Sequence, residues 1–226
     1  MPRESYQEQL EAMQEDVLYM SEVVIDRLRL ALEAMEQKDG EAAKEIIAGD
    51  DEINDLYLDL EQDCIDLLAL QQPVAGDLRL IASSFKIITD LERVGDLAVN
   101  LGEYTLDSQQ DMFPEVDINA IGDHTLDMLE DAMGAYEARD PESCYDIAER
   151  DEDLDGLCAE ASQTVVRDLI ETELDPDDSD EQVEALMQDV SRMLLTVRDL
   201  ERVGDHAVNI AARTLYMVEN DEELIY

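Results

Sequence analysis

Basic residues are scarce in this chain of 226 residues. Only 15 Lys and Arg stand against 60 Asp and Glu, which gives a formal net charge of −45 at pH 7. The sequence therefore excludes nucleic acid as a direct partner, because binding to a phosphate backbone requires clustered Lys and Arg. An anionic membrane surface is disfavoured for the same reason.

Helix-breaking residues, tryptophan and long apolar runs are also rare. The chain has five Pro, nine Gly and no Trp, while hydrophobic residues make up 45% of it. This composition is typical of helical proteins. No run of 18 apolar residues is present, so we expect no membrane insertion. The opening segment MPRESYQEQLEAMQ lacks the apolar core of a signal peptide, so we expect a cytoplasmic protein.

The three cysteines, Cys64, Cys144 and Cys158, are odd in number, and no two have the spacing of a metal-binding knuckle. This pattern predicts buried, reduced thiols rather than disulfides or a zinc site.

The negative charge conflicts with a compact fold at ordinary ionic strength, because like charges repel across the surface. Disorder is a poor explanation, since a hydrophobic content of 45% suffices for a core. At about 1 M salt the Debye length falls to about 3 Å, so dispersed carboxylates barely repel. The sequence therefore predicts a halophilic source. An acidic interaction surface in a mesophilic protein is the alternative.

The chain contains an internal repeat. DLERVGD occurs at residues 90–96 and again at 199–205. Upstream, EQKDGEAAKEIIAGDDEIN at 36–54 aligns with EARDPESCYDIAERDEDLD at 137–155. Two matches in the same order indicate a tandem duplication of the whole unit.

Each half divides into three helical stretches. Apolar residues recur at helical spacing, Gly40 is a predicted C-cap, and Pro73 interrupts the pattern. The predicted helices span approximately residues 3–36, 41–71, 73–106, 118–138, 141–174 and 179–219. Short connections make neighbouring helices antiparallel. We therefore predict an all-α fold of two tandem three-helix bundles, at 1–110 and 115–226, or one elongated six-helix body.

Two glutamates interrupt apolar stripes. On a helical wheel Glu92 lies among apolar side chains, with Asp96 about 40° further round, and Glu201 and Asp205 repeat this arrangement. A carboxylate in an apolar stripe needs a cation or hydrogen-bonding partners. Glycines on both stripes predict a close approach to a neighbouring helix.

The middle helices offer oxygen ligands. Asp50 and Asn54 share one helix face, as do Asp151 and Asp155, because each pair is four residues apart. Two helices that each present a pair of oxygen-bearing side chains can converge on a divalent cation.

Ion pairing is the competing explanation, and spacing alone favours it. Acidic pairs at this spacing are common in so acidic a chain, and buried carboxylates are usually paired with basic residues. Arg79 or Arg93 could pair with Glu92, and Arg198 or Arg202 with Glu201. Repetition in both halves favours a shared ligand site, although a duplicated core would repeat as well.

No catalytic constellation is present in the sequence. His124 and His206 have no ligand partner at helical spacing, and a surface or interface role is predicted for His206. Motifs of nucleotide-binding loops and of serine hydrolases are absent. We therefore predict that the protein is not an enzyme.

One segment resembles a known family. QQPVAGDLRLIASSFKIITDLERVGDLAVNL, residues 71–101, is similar to the signature of the PhoU family, and DLERVGDHAVNIAARTLYM, residues 199–217, is similar to its second copy. The run Q-P-V-x-x-D-L-R, which includes Pro73, Asp77 and Arg79, is more specific than E-x-x-x-D. The resemblance extends over essentially the whole chain.

The resemblance implies a cytoplasmic negative regulator of phosphate uptake and of the phosphate-starvation response. The implied partners are the ATPase subunit of a phosphate ABC transporter, a sensor histidine kinase and a second copy of the chain as a homodimer. It also implies iron or zinc ions, alternatively manganese, on the E-x-x-x-D faces. The implied ligands are Asp50, Asn54, Glu92 and Asp96, and in the second half Asp151, Asp155, Glu201 and Asp205.

Asn54 departs from a carboxylate and leaves the first implied site less charged. Two other readings remain open at this point. One is a carboxylate-bridged metal enzyme or metal store, which would usually have a Glu-x-x-His pair that neither histidine supplies. The other is a helical adaptor without metal.

Overall fold

The computed structural model describes residues 3–70, 74–107, 116–171 and 180–225, and these residues are almost entirely helical. The predicted all-α fold is confirmed. The helices are α1 (Arg3–Gln37), α2 (Gly40–Ala48), α3 (Asp50–Leu70), α4 (Ala75–Asp107), α5 (Ile118–Ala138), α6 (Pro141–Glu171) and α7 (Asp180–Glu219).

The middle helix of the first half is interrupted, so the prediction of one helix at 41–71 is wrong. Gly49 ends α2 with φ −88° and ψ 4°, and α3 begins at the next residue. The guanidinium of Arg27 lies where a side chain at Gly49 would start, 2.9 Å from the position of a Cβ atom. In the second half the corresponding residue is Arg150, and α6 continues through it without a break.

The prediction that Gly40 caps α1 is also wrong. Lys38 takes the left-handed conformation with φ 54°, as does Arg139 at the corresponding position after α5. Asp39 then caps α2, because its Oδ1 accepts hydrogen bonds from the backbone N–H groups of Glu41 at 3.0 Å and Ala42 at 3.1 Å. Gly40 itself is the first residue of α2.

Some predicted boundaries lie outside the described residues. These are the ends at 71, 73, 174 and 179 and most of the linker between the halves. For the halves themselves the predicted ranges, 1–110 and 115–226, stay a prediction.

The last helices of the two halves, α4 and α7, correspond to the predicted third helices. They pack against each other in antiparallel orientation. Ser83 Oγ near the start of α4 donates to the carbonyl of Arg213 near the end of α7, at 2.9 Å. Asn100 near the end of α4 donates to Asp199 in the middle of α7, at 3.2 Å. Helices α1, α2 and α3 flank α4, while α5 and α6 flank α7.

One apolar core runs through both halves. It contains fully buried side chains of the first half, such as Met13 and Leu91, and of the second half, such as Tyr136 and Leu154. Burying side chains of this size stabilises the fold by about 1.5 to 3 kcal/mol each. The two halves are therefore joined along α4 and α7 rather than linked only by the chain.

The cysteines lie within this packing. Cys64, Cys144 and Cys158 are buried and free, as predicted. Burial raises the pKa of Cys64 and Cys158 to about 12 and that of Cys144 to about 11, which keeps the thiols protonated and unreactive. Within the described residues, no helix is both long and apolar enough to cross a membrane.

Candidate functional site

Two glycines set the distance between the helices that carry the acidic residues. A Cβ atom on Gly95 of α4 would lie 3.0 Å from Ile53 Cδ1 of α3, and one on Gly204 of α7 would overlap the side chain of Leu154 on α6. The predicted close approach is confirmed. It places the acidic face of each third helix directly beside the acidic face of a middle helix.

The first cluster consists of Asp50, Asn54, Glu92 and Asp96. Asn54 Nδ2 donates to Asp50 Oδ2 at 2.9 Å. Desolvation raises the pKa of Glu92, and the negative charges of Asp96 and Asp50 add to the shift while Arg93 opposes it. The pKa of Asp96 is raised by desolvation and then by Asp50. The three carboxylates are therefore within electrostatic reach of one another.

The second cluster consists of Asp151, Asp155, Glu201 and Asp205. Desolvation raises the pKa of Asp151 to about 6, with contributions from the other three carboxylates. Desolvation followed by the charge of Asp155 raises the pKa of both Glu201 and Asp205. One oxygen of Asp151, Oδ1, is buried without a hydrogen-bond partner. A buried, unsatisfied carboxylate oxygen is costly and calls for a cation or a donor.

The structure thus brings the eight predicted site residues together in two groups of four. Within the described residues, no three His, Cys, Asp or Glu side chains converge closely enough to hold a metal ion. Their donor set still fits a hard or borderline cation, because every member offers an oxygen and Asp151 Oδ1 is unsatisfied. The metal ligands stay a prediction.

Among the residues that the structure describes, neither Arg198 nor Arg202 forms an ion pair with Glu201, contrary to the prediction from spacing. Arg198 Nη2 and Arg202 Nη1 lie 3.0 and 3.7 Å from Asp199 Oδ1 instead. Asp199 is fully buried, and nearby guanidinium groups offset the cost of burying its charge.

In the described ranges, Glu92 likewise has no ion pair with Arg79 or Arg93. Arg79 Nε points to the backbone carbonyl of Met217 at 3.5 Å. Arg93 lowers the pKa of Glu92 by its charge, yet the two make no ion pair within 4.0 Å in the part of the chain that the structure describes. Ion pairing therefore does not account for the glutamates in the apolar stripes.

The most deeply buried carboxylates of the repeated motif are not those predicted. Asp90 and Asp199, the first residues of the two DLERVGD copies, are only 7% and 0% exposed. Asn209 of the second half donates to Asp90 Oδ1 at 3.4 Å, and Asn100 of the first half donates to Asp199 Oδ2 at 3.2 Å. Each half therefore supplies an amide to the buried aspartate of the other.

Two further side chains complete this exchange, and they differ between the halves. His206 Nδ1 lies 2.8 Å from Asp90 Oδ1, and Tyr104 donates to Asp199 Oδ2 at 2.8 Å. A surface or interface role was predicted for His206, and its burial in the contact between the halves agrees with the interface alternative and not with the surface one. The repeated Asp at the start of DLERVGD and the repeated Asn after it were available in the sequence as a signal for this contact.

Comparison with known proteins agrees with this architecture. The sequence profile of the PhoU domain matches residues 17–105 and 118–214. The chain is 31% identical over 227 residues to a phosphate-specific transport system accessory protein PhoU homolog of Synechocystis, covering 98% of this chain and 95% of the relative. The Escherichia coli K12 protein of the corresponding name is 29% identical over 216 residues, covering 95% of this chain and 85% of that protein.

Solved structures give the same result. The phosphate transport system regulatory protein PhoU from Streptococcus pneumoniae superposes with a TM-score of 0.85 at 26% identity, covering 96% of this chain and 98% of the other. PhoU from Pseudomonas aeruginosa also gives 0.85, at 28% identity and 96% and 100% coverage. The two matches to the PhoU domain profile cover the two halves, and each half donates an amide hydrogen bond to the buried aspartate of the other. This chain belongs to the PhoU domain family.

Proposed function

We propose that this protein is a non-catalytic regulator of phosphate uptake that holds the phosphate-starvation response down. The observation that carries the proposal is the match of both halves, over nearly the full length, to proteins named as accessory to phosphate-specific transport. The side-chain chemistry is consistent with regulation. His124 lies against the backbone carbonyl of Arg150, and His206 is buried in the contact between the halves with its Nδ1 on Asp90.

Regulation by this chain proceeds through protein contacts in the cytoplasm. The ATPase subunit of a phosphate ABC transporter is the proposed partner, with a sensor histidine kinase as a second one and a homodimer as the working state. Support comes from the relatives, which are named accessory proteins of phosphate-specific transport systems, because contact with a transporter subunit is the most direct way for such a protein to act on transport. A net charge of −45 favours partner surfaces that are rich in Lys and Arg.

Metal binding is the second part of the proposal. The first and second clusters each hold iron or zinc, alternatively manganese, through the side chains of α3 and α4 and of α6 and α7. A bound cation removes repulsion between carboxylates and joins a middle helix to a third helix, which stabilises the folded chain by mass action. The unsatisfied oxygen of Asp151 supports this role. The metal-free adaptor is the outcome in which neither cluster binds a cation.

A deletion strain tests the regulatory function. Without the protein, we expect phosphate uptake and starvation-gene expression to stay high when phosphate is plentiful. A plasmid copy should restore repression, and the tagged protein should co-purify with the transporter ATPase from lysate kept at native salt. Unchanged uptake and gene expression, in a strain with no second PhoU-domain gene, would contradict the proposal.

A further inference from the structure

Gly134, on the exposed face of α5, has no packing reason within the chain. Glycine is among the poorest helix formers, so a glycine inside a helix usually marks a close contact with a neighbour. Four helical glycines follow this rule, since a Cβ atom on each would lie within 3.4 Å of a neighbouring helix: Gly95, Gly102, Gly122 and Gly204. A Cβ atom on Gly134 would have no such neighbour within 4 Å in the described part of the chain. The space beside Gly134 is therefore open to another molecule.

A groove of about 580 Å³ between α1 and α5 borders Gly134. Its deeper lining is apolar and comes from Leu18, Ile25 and Met133. Its rim has exposed carboxylates from both helices: Glu22, Asp26, Glu130 and Glu137. The basic residue of this lining, Arg29, is already held by two of them, at 2.5 Å to Asp26 and 2.6 Å to Glu130. Four carboxylates and one guanidinium give the groove a net charge of −3.

A second groove, of about 460 Å³, lies between α5 and α6 and also borders Gly134. Apolar side chains again contribute to its lining, namely Ala135, Ala138 and Ile147. Its carboxylates are Glu130, Asp131, Asp140 and Asp146. Its basic residue, Arg150, is paired with Asp131 at 2.5 Å. Helix α5 is thus a ridge between two acidic grooves with apolar linings, and the missing side chain at position 134 leaves a gap in it, the Gly134 notch.

A helix that crosses α5 at the Gly134 notch fits this surface. Packed helices place the side chains of one into the grooves of the other, and small residues at the crossing point let the two axes approach closely. Apolar side chains of the incoming helix would bury the apolar linings of both grooves. Lys and Arg beside them would meet the carboxylates of the rims. Salt screens such pairs less once the interface partly buries them, so the sign of the partner's charge matters even in molar KCl.

We propose that the Gly134 notch and its two grooves dock a helical segment of a partner protein, one with an apolar ridge flanked by Lys and Arg. The inference rests on the proposed function, because it assigns the regulator's protein contact to one surface of the molecule. A second copy of this chain is the poorer occupant, since a two-fold contact through these grooves would bring acidic rims together. The docking surface also accounts for Gly134, which the packing of the chain itself does not require.

Fluorescence anisotropy in molar KCl tests the surface with a labelled amphipathic peptide, about five helical turns long, whose leucine ridge is flanked by lysines. We expect the wild type to bind it and Gly134→Leu to weaken binding about tenfold or more, because the new side chain fills the notch and excludes the peptide backbone. Gly156→Leu is the matched control, since Gly156 is exposed and equally open but borders neither groove. Both variants should melt at or above the wild-type temperature, because leucine is the better helix former.

The charge of the partner is tested by two further changes. Glu137→Lys reverses the charge of one rim residue and should weaken binding of the lysine peptide, whereas Glu160→Lys makes the same change on α6 outside the grooves and should not. A peptide with glutamate in place of lysine should bind the wild type much more weakly. Equal binding of both peptides overturns the basic partner.

The deletion strain separates the docking surface from the proposed function. A Gly156→Leu copy should restore repression and a Gly134→Leu copy should not. No peptide binding by the wild type, or equal binding and equal repression by wild type and Gly134→Leu, overturns the surface and leaves the regulatory function intact. Peptide binding that depends on Gly134, in a strain whose phosphate response is unaffected by deletion, supports the surface and contradicts the function. A change of oligomeric mass in Gly134→Leu, measured by sedimentation, assigns the grooves to a second copy and overturns the proposed partner.

Discussion

The two acidic clusters occupy the same place in the repeat but differ in one residue that changes their electrostatics. In the first, the amide of Asn54 donates to Asp50 and satisfies one of its oxygens. In the second, Asp155 takes the corresponding position, Asp151 keeps a buried oxygen without a partner, and the pKa of Asp151 rises to about 6. Where the first cluster has an amide that donates to Asp50, the second has a carboxylate that cannot donate to Asp151, and one oxygen of Asp151 is left without a hydrogen bond.

This difference indicates that duplication preserved the helix packing while the chemistry of the two faces diverged. Gly95 against Ile53 and Gly204 against Leu154 keep each third helix close to its middle helix. On that common frame, the second cluster has four carboxylates and the first has three. The first has the lower charge and borders a cavity with two arginines.

The largest expected effect is that of salt, and it tests whether the halves behave as one unit. Dialysis of chelator-treated protein from molar to millimolar KCl should cause loss of helical structure, because carboxylates that carry a net charge of −45 lose their screening. Both halves share one core, so circular dichroism should show a single transition. A spectrum and a melting temperature independent of salt would contradict the prediction, and two separate transitions would contradict the shared core.

A smaller effect separates the two buried aspartates. Asp199→Ala removes the acceptor for Tyr104 and Asn100 and should lower the free energy of unfolding by roughly 2 to 4 kcal/mol. Asp90→Ala removes the partner of His206 and Asn209 and should cost roughly 1 to 2 kcal/mol. Urea denaturation at fixed salt measures both. An equal loss in the two variants, or a larger loss in Asp90→Ala, would contradict this order.

Sequence patterns predicted the helical repeat and the grouping of the eight site residues because both depend on local periodicity and spacing. The break at Gly49 was not predicted, and the contact made there by Arg27 of α1, whose guanidinium lies 2.9 Å from the position of a Cβ atom on Gly49, cannot be read from spacing along the chain. The buried exchange between Asp90 and Asn209 depends on antiparallel packing of α4 and α7. Spacing alone suggested arginine partners for Glu201, whereas in the structure those arginines lie against the buried carboxylate of Asp199.

The smallest expected effect is a pH dependence that belongs mainly to the second cluster. Burial raises the pKa of Asp151 from 3.8 to about 6, so the folded chain holds this proton more tightly than the unfolded chain does. The stability it contributes is therefore present below pH 3.8 and is lost as the pH rises through about 6.

Urea midpoints of the metal-free protein, measured across that range, give the size of this loss. Asp151→Asn should reduce the loss, whereas Asp50→Asn in the first cluster should change it less, because Asp50 already accepts from Asn54. The same reduction in both variants would mean that general repulsion, and not the second cluster, causes the pH dependence.

The central claim, that the repeated carboxylates form two unequal cation sites, is tested most directly by calorimetric titration of Mn²⁺ and Zn²⁺ into chelator-treated protein. We expect two classes of site. Asp155→Asn should weaken the tighter class roughly tenfold and Asn54→Asp should strengthen the weaker one, because ligand charge sets affinity in oxygen sites. Glu92→Gln combined with Glu201→Gln should abolish both classes, together with the rise in melting temperature on adding metal. Absence of binding to the wild type, or undiminished binding to that double variant, would contradict the claim.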